Sequence, residues 1–188
     1  MATRDVLIVS DTHGRTLRLN ELIEYRQRLI KDGEPLVLIH LGDGLSDLFS
    51  SPQYENIISH AVRGNCDYST SDRMSPYGEE MPICRVIYVG KYKVFMTHGH
   101  AFSVKGGYEE LCREASSQGA DIVLFGHTHM PLLEYVNKGS IRGVDRDLVL
   151  FNPGSLSGML DGSFGNLSIS DEGFLLSHGK YHNIIKNK

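Results

Sequence analysis

Short apolar runs rich in β-branched residues recur along the chain, separated by turns that contain glycine and polar residues. Runs of this length and composition predict β-strands, several of them buried on both faces. We expect strands at residues 6–9, 36–41, 85–89, 94–97, 122–125, 148–151 and 167–169.

Two segments between these strands have the apolar spacing of amphipathic helices. The first joins the first two strands in a β-α-β unit and is expected to stop at Gly33. Its apolar face comprises Leu19, Leu22, Ile23, Leu29 and Ile30. The second covers residues 108–117 and places Leu111, Cys112 and Ala115 on one face.

The last third of the chain is strand-rich, with turn signals at residues 137–143, 161–162 and 171–173. Alternating units therefore give way to hairpin pairing, and the two patterns together predict a layered α/β protein with mixed sheets. Residues 66–82 form a polar stretch with proline and glycine, which favours a loop.

The chain has 188 residues, of which 40% are hydrophobic and 22% charged, as expected for one folded domain over residues 1–188. Its formal net charge of −4 disfavours binding of long nucleic acid or of an anionic membrane surface, but allows a small anionic substrate. The sequence shows no basic-then-apolar leader and no apolar run long enough to span a bilayer, so we expect a cytoplasmic, unanchored protein.

Three cysteines, Cys66, Cys84 and Cys112, are spread through the sequence. Their odd number and wide spacing argue against a disulfide framework and against a thiolate zinc site, and favour a reducing compartment. We expect Cys84 and Cys112 to be small buried apolar residues.

Four of these apolar runs, and the short segment Ala61-Val62-Arg63, lead into segments that contain aspartate, histidine or asparagine. The carboxyl ends of strands in an open α/β sheet border one crevice, so these residues are expected to build one site from distant segments. The segments are Asp11-Thr12-His13, Gly42-Asp43, Gly64-Asn65, His98-Gly99-His100 and Gly126-His127-Thr128-His129.

Two pairs of these residues are separated by one position, Asp11 with His13 and His127 with His129. On an extended segment such a pair points both side chains the same way, so each pair is expected to aim two donors at one centre. Glycines beside the donors permit sharp turns there: Gly42, Gly64, Gly99 and Gly126.

The donors are carboxylates, imidazoles and an amide, a set that suits divalent Mn, Fe, Ni or Zn. They are too many for one tetrahedral ion, whereas two ions that share a carboxylate would use them all. Two divalent ions can lower the pKa of a bridging water and hold the oxygens of a phosphoryl group during in-line attack. The pattern therefore predicts phosphoester hydrolysis.

The sequence does not support a serine hydrolase or a nucleotide-binding fold. The segment Gly154-Ser155-Leu156-Ser157-Gly158 has the spacing of a nucleophile elbow, but Leu156 stands where the serine would be. No P-loop and no dinucleotide-binding glycine pattern follows a strand. Four histidines outside the five segments are expected to be structural: His40, His60, His178 and His182.

The order and combination of the five segments, from Asp11 to His129, resemble the calcineurin-like metallophosphoesterase superfamily. The small size and two further segments are similar to its compact YfcE-type phosphodiesterase branch. Those segments are Gly64-Asn65-Cys66-Asp67 and Asn152-Pro153-Gly154-Ser155. The resemblance implies a four-layer αββα sandwich with two mixed β-sheets.

The resemblance also implies which residues hold metal. A first divalent ion would be bound by Asp11, His13, Asp43 and His129. Asp43 would bridge to a second ion, which Asn65, His98 and His127 complete. Manganese is the usual activating ion of this branch, and Ni, Fe or Zn are reasonable substitutes.

Four residues are expected to take part in catalysis: Asn65, His98, Cys66 and His100. The wider superfamily has a histidine near the leaving oxygen at the position where this chain has Cys66. With a thiol there we expect poor protonation of the leaving group, and hence a preference for diesters with good leaving groups. His100 either substitutes as the acid or orients a metal ligand.

Three functions remain open. The leading one is a metal-dependent phosphodiesterase, a phosphoric ester hydrolase in which a hydroxide bridging two ions attacks small phosphodiesters. A phosphomonoesterase or nucleotide phosphatase would use the same metals with a different pocket, and its dianionic substrate would need cations such as Arg15, Arg63 or Lys105. The third is a non-catalytic scaffold that resembles the retromer subunit of this fold. For a homodimer or higher homo-oligomer, residues 137–147 and the strand-rich C-terminal third are the expected contacts.

Overall fold

The strands and helices of the protein come from a computed structural model that describes residues 4–30, 34–159 and 161–186. The strands are β1 (Arg4–Val9), β2 (Leu36–His40), β3 (Ile57–Ala61), β4 (Cys84–Val89), β5 (Tyr92–Thr97), β6 (Ile122–Leu124), β7 (Leu132–Val136), β8 (Leu148–Asn152), β9 (Ser163–Ile169) and β10 (Phe174–Lys180). The helices are α1 (Thr16–Leu29), α2 (Leu45–Phe49), α3 (Thr70–Arg73), α4 (Glu109–Ser117) and α5 (Tyr181–Lys186). Short 3-10 turns cover Tyr54–Asn56 and His100–Phe102.

The strands form two five-stranded mixed sheets. The first has the order β10-β9-β1-β2-β3. In it, β1, β2 and β3 are parallel to one another, and β9 is antiparallel to both of its neighbours, β1 and β10. The second has the order β4-β5-β6-β8-β7, in which β5, β6 and β8 are parallel and the two edge strands antiparallel. Both sheets are therefore mixed, as the sequence pattern predicts.

Period-two alternation along the central strands separates three apolar cores. In β1, Leu7 and Val9 pack with the apolar face of α1, whereas Val6 and Ile8 pack between the two sheets. In β6, Val123 lies in the core that contains α4, while its neighbours in sequence lie between the sheets. The order helix, sheet, sheet, helix confirms the expected four-layer αββα sandwich.

The two predicted helices are present, with one error in the first. Leu19, Leu22 and Ile23 are buried, but Leu29 is 60% exposed. Leu29 is the last residue of α1 and turns toward solvent, whereas Ile30, whose backbone is already extended, is partly buried against the core. The expected stop at Gly33 lies outside the described residues. In α4 the expected apolar side chains are buried, Leu111, Cys112 and Ala115.

The strands that the pattern missed are β3, β7 and β10. All three are edge strands, and most of their side chains are partly or fully exposed. An edge strand needs no continuous apolar run, so the signal used for the central strands is absent there. The expected loop at residues 66–82 is wrong in part, because it contains α3 and an isolated antiparallel bridge between Met74 and Glu80. None of the helices in the described ranges is long and apolar enough to cross a membrane.

Candidate active site

Five strands from both sheets deliver the predicted donors to one crevice. β1, β2 and β3 of the first sheet and β5 and β6 of the second end just before the donor segments. Backbone hydrogen bonds tie these segments together: Asp11 N donates to Gly42 O at 3.0 Å, and His13 N donates to Asp43 O at 3.2 Å. The convergence follows from the parallel pairing, which places the carboxyl ends of neighbouring strands side by side.

The donors form two clusters. The outer cluster consists of Asp11, His13 and His129, and the inner cluster consists of Asp43, His98 and His127. Within each cluster, one potential ligand atom from every residue lies within 4.8 Å of the others. Asp43 also groups with His13 and Cys66 under the same limit, so its carboxylate links the two clusters.

The shortest approaches within the clusters join atoms that would normally bind a cation. In the outer cluster, Asp11 Oδ1 lies 3.0 Å from His129 Nε2, which lies 3.4 Å from His13 Nε2. In the inner cluster, His98 Nε2 lies 3.3 Å from Asp43 Oδ2 and 3.2 Å from His127 Nδ1. A divalent cation between such atoms would accept their lone pairs together.

Each carboxylate has one oxygen that the protein holds and one that faces the clusters. Asp11 Oδ2 accepts hydrogen bonds from Ser10 Oγ at 2.6 Å and from His127 N at 3.2 Å. Asp11 Oδ1 is buried and accepts no hydrogen bond from the described residues. Asp43 Oδ1 accepts from Cys66 N at 2.7 Å, which leaves Oδ2 toward His98. Asn65 Oδ1 is likewise buried without a hydrogen-bond partner among the described residues.

The fully buried His98 ring is oriented by the backbone. Its Nδ1 lies 2.7 Å from Leu41 O, a group that can only accept, so Nδ1 carries the proton and Nε2 of the neutral ring offers a lone pair to the inner cluster. Asp11 Oδ1 and Asn65 Oδ1, which are buried and accept no hydrogen bond from the described residues, complete an arrangement that fits bound divalent metal.

Two further carboxylates hold the donor loops in place. Asp67 accepts from four backbone N–H groups at 2.7–3.0 Å: Asp43, Gly44, Leu45 and Gly64. Asp47 accepts from Thr12 Oγ1 at 2.6 Å and from Gly14 N at 2.9 Å, and also from the hydroxyl of Thr16. Asp67 stands next to the Gly64-Asn65-Cys66 segment in the sequence, whereas the sequence contains no signal for Asp47.

The donor pairs are not on extended segments, and this expectation is wrong. Asp11, His13, Asp43, His127 and His129 all have left-handed backbone conformations, with φ between 43° and 66°. Such conformations are uncommon for residues other than glycine, although aspartate and histidine adopt them more readily than most. The segments are tight turns whose side chains converge because neighbouring turns meet.

The glycines beside the donors meet two different requirements. Gly42 and Gly99 have φ of +92° and +107°, so they permit turns as expected. At Gly64 and Gly126 the requirement is close approach: an added Cβ would lie 2.0 Å from Asp43 Oδ1 or 2.0 Å from Ser10 Oγ. The backbone of these two residues packs directly against the carboxylates and their partners.

Pairing between carboxylates and imidazoles shifts the pKa values of Asp43, Asp11 and His13 more strongly than burial does. Burial opposes ionisation of Asp43, but His98 outweighs it and lowers the pKa of Asp43 to about 2. In Asp11 the imidazoles of His129 and His13 likewise overcome burial and hold the pKa below its usual range. The Asp11 carboxylate raises the pKa of His13.

The two imidazoles of the inner cluster respond in opposite directions. Burial lowers the pKa of His98, but the carboxylates of Asp43 and Asp11 exceed this effect and raise it overall. Burial and the neighbouring His98 lower the pKa of His127 to about 4, so His127 is neutral at neutral pH.

Cys66 and His100 lie beside the clusters in different ways. Cys66 is exposed, and its thiol stays neutral because partial desolvation and the Asp43 carboxylate raise its pKa. The His100 ring centroid lies 5.5 Å from that of His98, but His100 belongs to neither cluster. Its Nδ1 is buried and has no hydrogen-bond partner among the described residues.

The remaining expectations for individual side chains have mixed outcomes. Cys84 is exposed, so its expected burial is wrong, because it begins the edge strand β4. His40 is buried and accepts from Gly42 N at 3.1 Å, a structural role as expected. His178 stacks on Phe151 with ring centroids 4.5 Å apart and lies 2.8 Å from Asn152 O.

The fold and this set of donors define a phosphoesterase of two packed mixed sheets. Residues 5–183 match the family model described as the calcineurin-like phosphoesterase superfamily domain, and the chain belongs to this family. This confirms the resemblance drawn from the five segments and the expectation of a phosphoric ester hydrolase.

The curated relatives include proteins named as phosphodiesterases. Phosphodiesterase MJ0936 of Methanocaldococcus jannaschii is 30% identical over 82% of this chain and 86% of its own length. Phosphodiesterase YfcE of Escherichia coli is 36% identical over 54% of this chain and 48% of its own length.

Solved structures share the fold over almost the whole chain. A predicted phosphoesterase from Streptococcus pneumoniae has a TM-score of 0.69 and 27% identity, with 97% of this chain and 92% of that chain covered. Vacuolar Protein Sorting 29 from Cryptosporidium parvum has a TM-score of 0.62 and 16% identity, with 95% and 97% covered, which shows a shared fold alone.

Proposed function

We propose that this protein hydrolyses small phosphodiesters with two bound divalent ions, of which manganese is the first choice and nickel, iron or zinc are alternatives. The observation that carries the proposal is the pair of clusters linked by Asp43, with the cluster-facing oxygen of Asp11 buried among imidazole nitrogens and 3.0 Å from His129 Nε2. A single ion would leave part of this donor set unused.

The proposed ligands follow the two clusters. One ion would be held by Asp11, His13, Asp43 and His129, and the other by Asp43, Asn65, His98 and His127. Bound in this way, two divalent ions supply an acidified water as nucleophile and neutralise phosphoryl oxygens.

Three groups of the protein itself, one from the backbone and two side chains, have proposed tasks. The buried Leu41 carbonyl fixes the His98 ring, so that its Nε2 stays directed at the inner cluster. Asn65 presents its amide at the same crevice and is proposed to bind both metal and a phosphoryl oxygen. His100 is proposed to orient the neighbouring imidazoles or to donate a proton to the leaving group.

A preference for diesters rests on charge. Two carboxylates and a hydroxide leave two divalent ions with one net positive charge, which matches a monoanionic diester. Lys105 and Arg15, two of the cations that a dianionic monoester would need, are exposed. Arg63 lies 3.4 Å from Glu80, a carboxylate that it shares with Arg73, and belongs to neither cluster. A thiol of raised pKa at Cys66 is a poor acid for the leaving group, so aryl esters should react faster than alkyl esters.

We also propose a cytoplasmic location and a single domain over residues 1–188. For assembly we propose a homodimer or higher homo-oligomer that uses residues 137–147 or the C-terminal strands. Size-exclusion chromatography with light scattering tests the assembly.

The decisive experiment compares bis(p-nitrophenyl) phosphate with p-nitrophenyl phosphate before and after chelation and re-addition of manganese. We expect turnover only with metal, about two ions bound per chain by elemental analysis, and faster hydrolysis of the diester. Faster hydrolysis of the monoester would favour a phosphatase. Absence of turnover with any divalent ion would favour a scaffold of the retromer-subunit type, which has the same fold.

A further inference from the structure

A cavity of about 330 Å³ opens beside the two clusters. It shares Asn65 and His100 with the site, and its other lining residues include Arg63, Arg73, Tyr68 and Ile83. A substituent on a phosphoryl group held at the clusters could enter this cavity past Asn65. The metal chemistry itself assigns no role to either arginine.

The cationic groups of the cavity exceed the anionic groups available to pair with them. Arg63 Nη1 and Arg73 Nη2 lie 3.4 and 2.6 Å from the same oxygen of Glu80, so two guanidinium groups share one carboxylate. Asp67 also lines the cavity, but its carboxylate already accepts four backbone N–H groups. Among the described side chains, one positive charge of the arginine pair therefore has no carboxylate of its own.

The backbone holds the arginine pair in position. Met74 and Glu80 form an antiparallel bridge, and Met81 N donates to Arg73 O at 2.7 Å. Arg63 N donates to Pro82 O at 2.9 Å, which joins the end of β3 to the same segment. The two arginines are thus presented by a hydrogen-bonded frame at the mouth of the site.

We infer that this cavity binds the non-reacting arm of the diester substrate and selects arms that carry an anionic group, a carboxylate or a second phosphate. A guanidinium group matches either anion with two parallel hydrogen bonds. Glu80 is 56% exposed at its side chain, so a substrate anion can share or replace it at the arginines. Tyr68, 75% exposed, and Ile83 offer apolar contact to the neutral part of the arm.

The inference rests on the proposed phosphodiesterase function, and its test uses substrates that differ only in the arm. Three p-nitrophenyl diesters carry propyl, 2-carboxyethyl or 2-phosphoethyl as the second group. All three expel p-nitrophenolate, so the ratio of their kcat/KM values reports recognition of the arm. We expect the metal-loaded protein to favour the anionic arms by about fivefold, the size of a partly exposed ion pair.

Matched variants identify the groups responsible. Arg73→Gln should remove the preference by lowering kcat/KM for the two anionic arms to the level of the propyl diester. Glu80→Gln should increase the preference, because it frees both guanidinium groups. Arg142→Gln, an exposed arginine outside the cavity lining, is the control and should change none of the ratios.

The outcomes separate the two proposals. Equal kcat/KM values for the three arms, or an equal loss on all three in Arg73→Gln, would overturn the inference and leave phosphodiesterase activity standing. A gain for only one of the two anionic arms supports the inference and names the anion. If no diester turns over, the proposed function fails, and calorimetric binding of the same three compounds still decides the inference, because equal affinities would overturn it.

Discussion

The outer and inner clusters use the same ligand types but differ in their access to solvent. In the outer cluster the side chains of His13 and His129 are 31% and 50% exposed, whereas His98 in the inner cluster is fully buried. The difference arises because His98 follows the buried strand β5, while His13 and His129 stand at the tips of turns. The imidazoles therefore make the outer cluster the more accessible half of the site, although its Asp11 is buried and His127 of the inner cluster is partly exposed.

This contrast predicts different exchange of metal in the two halves. An ion at the outer cluster can trade protein ligands for water through the exposed imidazoles. An ion at the inner cluster has a buried ring behind it, held by Leu41 O. We expect the outer ion to dissociate first during chelation.

The largest expected effect comes from removing the carboxylate that joins the clusters. Asp43→Asn should lower turnover by more than about 100-fold, because losing a direct ligand should cost more than the roughly 10–100-fold loss caused by removing a partner behind a ligand. Asp11→Asn should cost less, because Asp11 belongs to the outer cluster alone. Turnover and metal content by elemental analysis measure both.

The exposed Asp147→Asn provides the control and should retain two ions and full turnover. If Asp43→Asn and Asp11→Asn lost the same activity and both lost both ions, Asp43 would not be the link between the clusters.

The next effect tests whether the inner cluster depends on close backbone packing. Gly64→Ala would place Cβ 2.0 Å from Asp43 Oδ1, so the Asp43 carboxylate must move. We expect a loss of about 1–3 kcal/mol in the free energy of unfolding, together with loss of metal. Chemical denaturation and metal analysis check this.

Gly106→Ala is the matched control, because an added Cβ there would be 3.5 Å from its nearest neighbour. Unchanged metal binding in Gly64→Ala would show that the carboxylate does not need this contact.

A smaller effect is expected at Cys66, which lies where the clusters meet. Cys66→His should speed hydrolysis of diesters with an alkoxide leaving group by about tenfold, because an imidazole can protonate that oxygen at neutral pH. Diesters that expel p-nitrophenolate need no such help and should change little.

The test is to measure the hydrolysis rates of diesters with aryl and with alkyl leaving groups in Cys66→His and in the unchanged protein, with metal content measured in parallel. An equal gain or loss on both leaving groups would contradict the missing-acid explanation.

The smallest effect is the pH dependence of stability without metal. The pKa of His13 and of His98 is raised by the facing carboxylates. Their ion pairs therefore stabilise the metal-free protein fully below the ordinary histidine pKa of about 6.5, and this stabilisation is lost as pH rises through the raised values. Bound metal displaces these protons, so manganese should raise Tm more at pH 8 than at pH 6.

Thermal unfolding at several pH values, with and without manganese, measures this difference. A metal-induced rise in Tm that shrinks between pH 6 and pH 8 would mean that protons and metal do not compete at these imidazoles.

The convergence of the donor segments on one crevice is predictable from the sequence because most of them follow a strong structural signal. Asp11, His98 and His127 come directly after buried apolar runs, and the end of a central strand fixes where such a residue lies. The fold class is predictable for the same reason. Edge strands such as β7 lack this signal, because their side chains face solvent.

Other features depend on contacts between distant segments and could not be read from local pattern. The Asp47 carboxylate accepts a hydrogen bond from the hydroxyl of Thr12, which lies 35 residues earlier in the sequence. Arg63 is an evident cation in the sequence, but its pairing with Arg73 through Glu80 requires the bridge formed by Met74. The left-handed conformation of the donors is likewise set by the meeting of two turns.

The left-handed backbone of these donor residues lowers the stability of the fold, while their side chains are needed for the chemistry of the site. For residues with a Cβ the conformation costs roughly 1–2 kcal/mol each, with less for aspartate and histidine. Glycine would relieve that cost at His13 or His129 and at the same time delete a donor. Directed evolution for heat resistance alone would therefore drift toward inactive chains at these positions, so a thermostable variant must be selected with turnover as a second criterion.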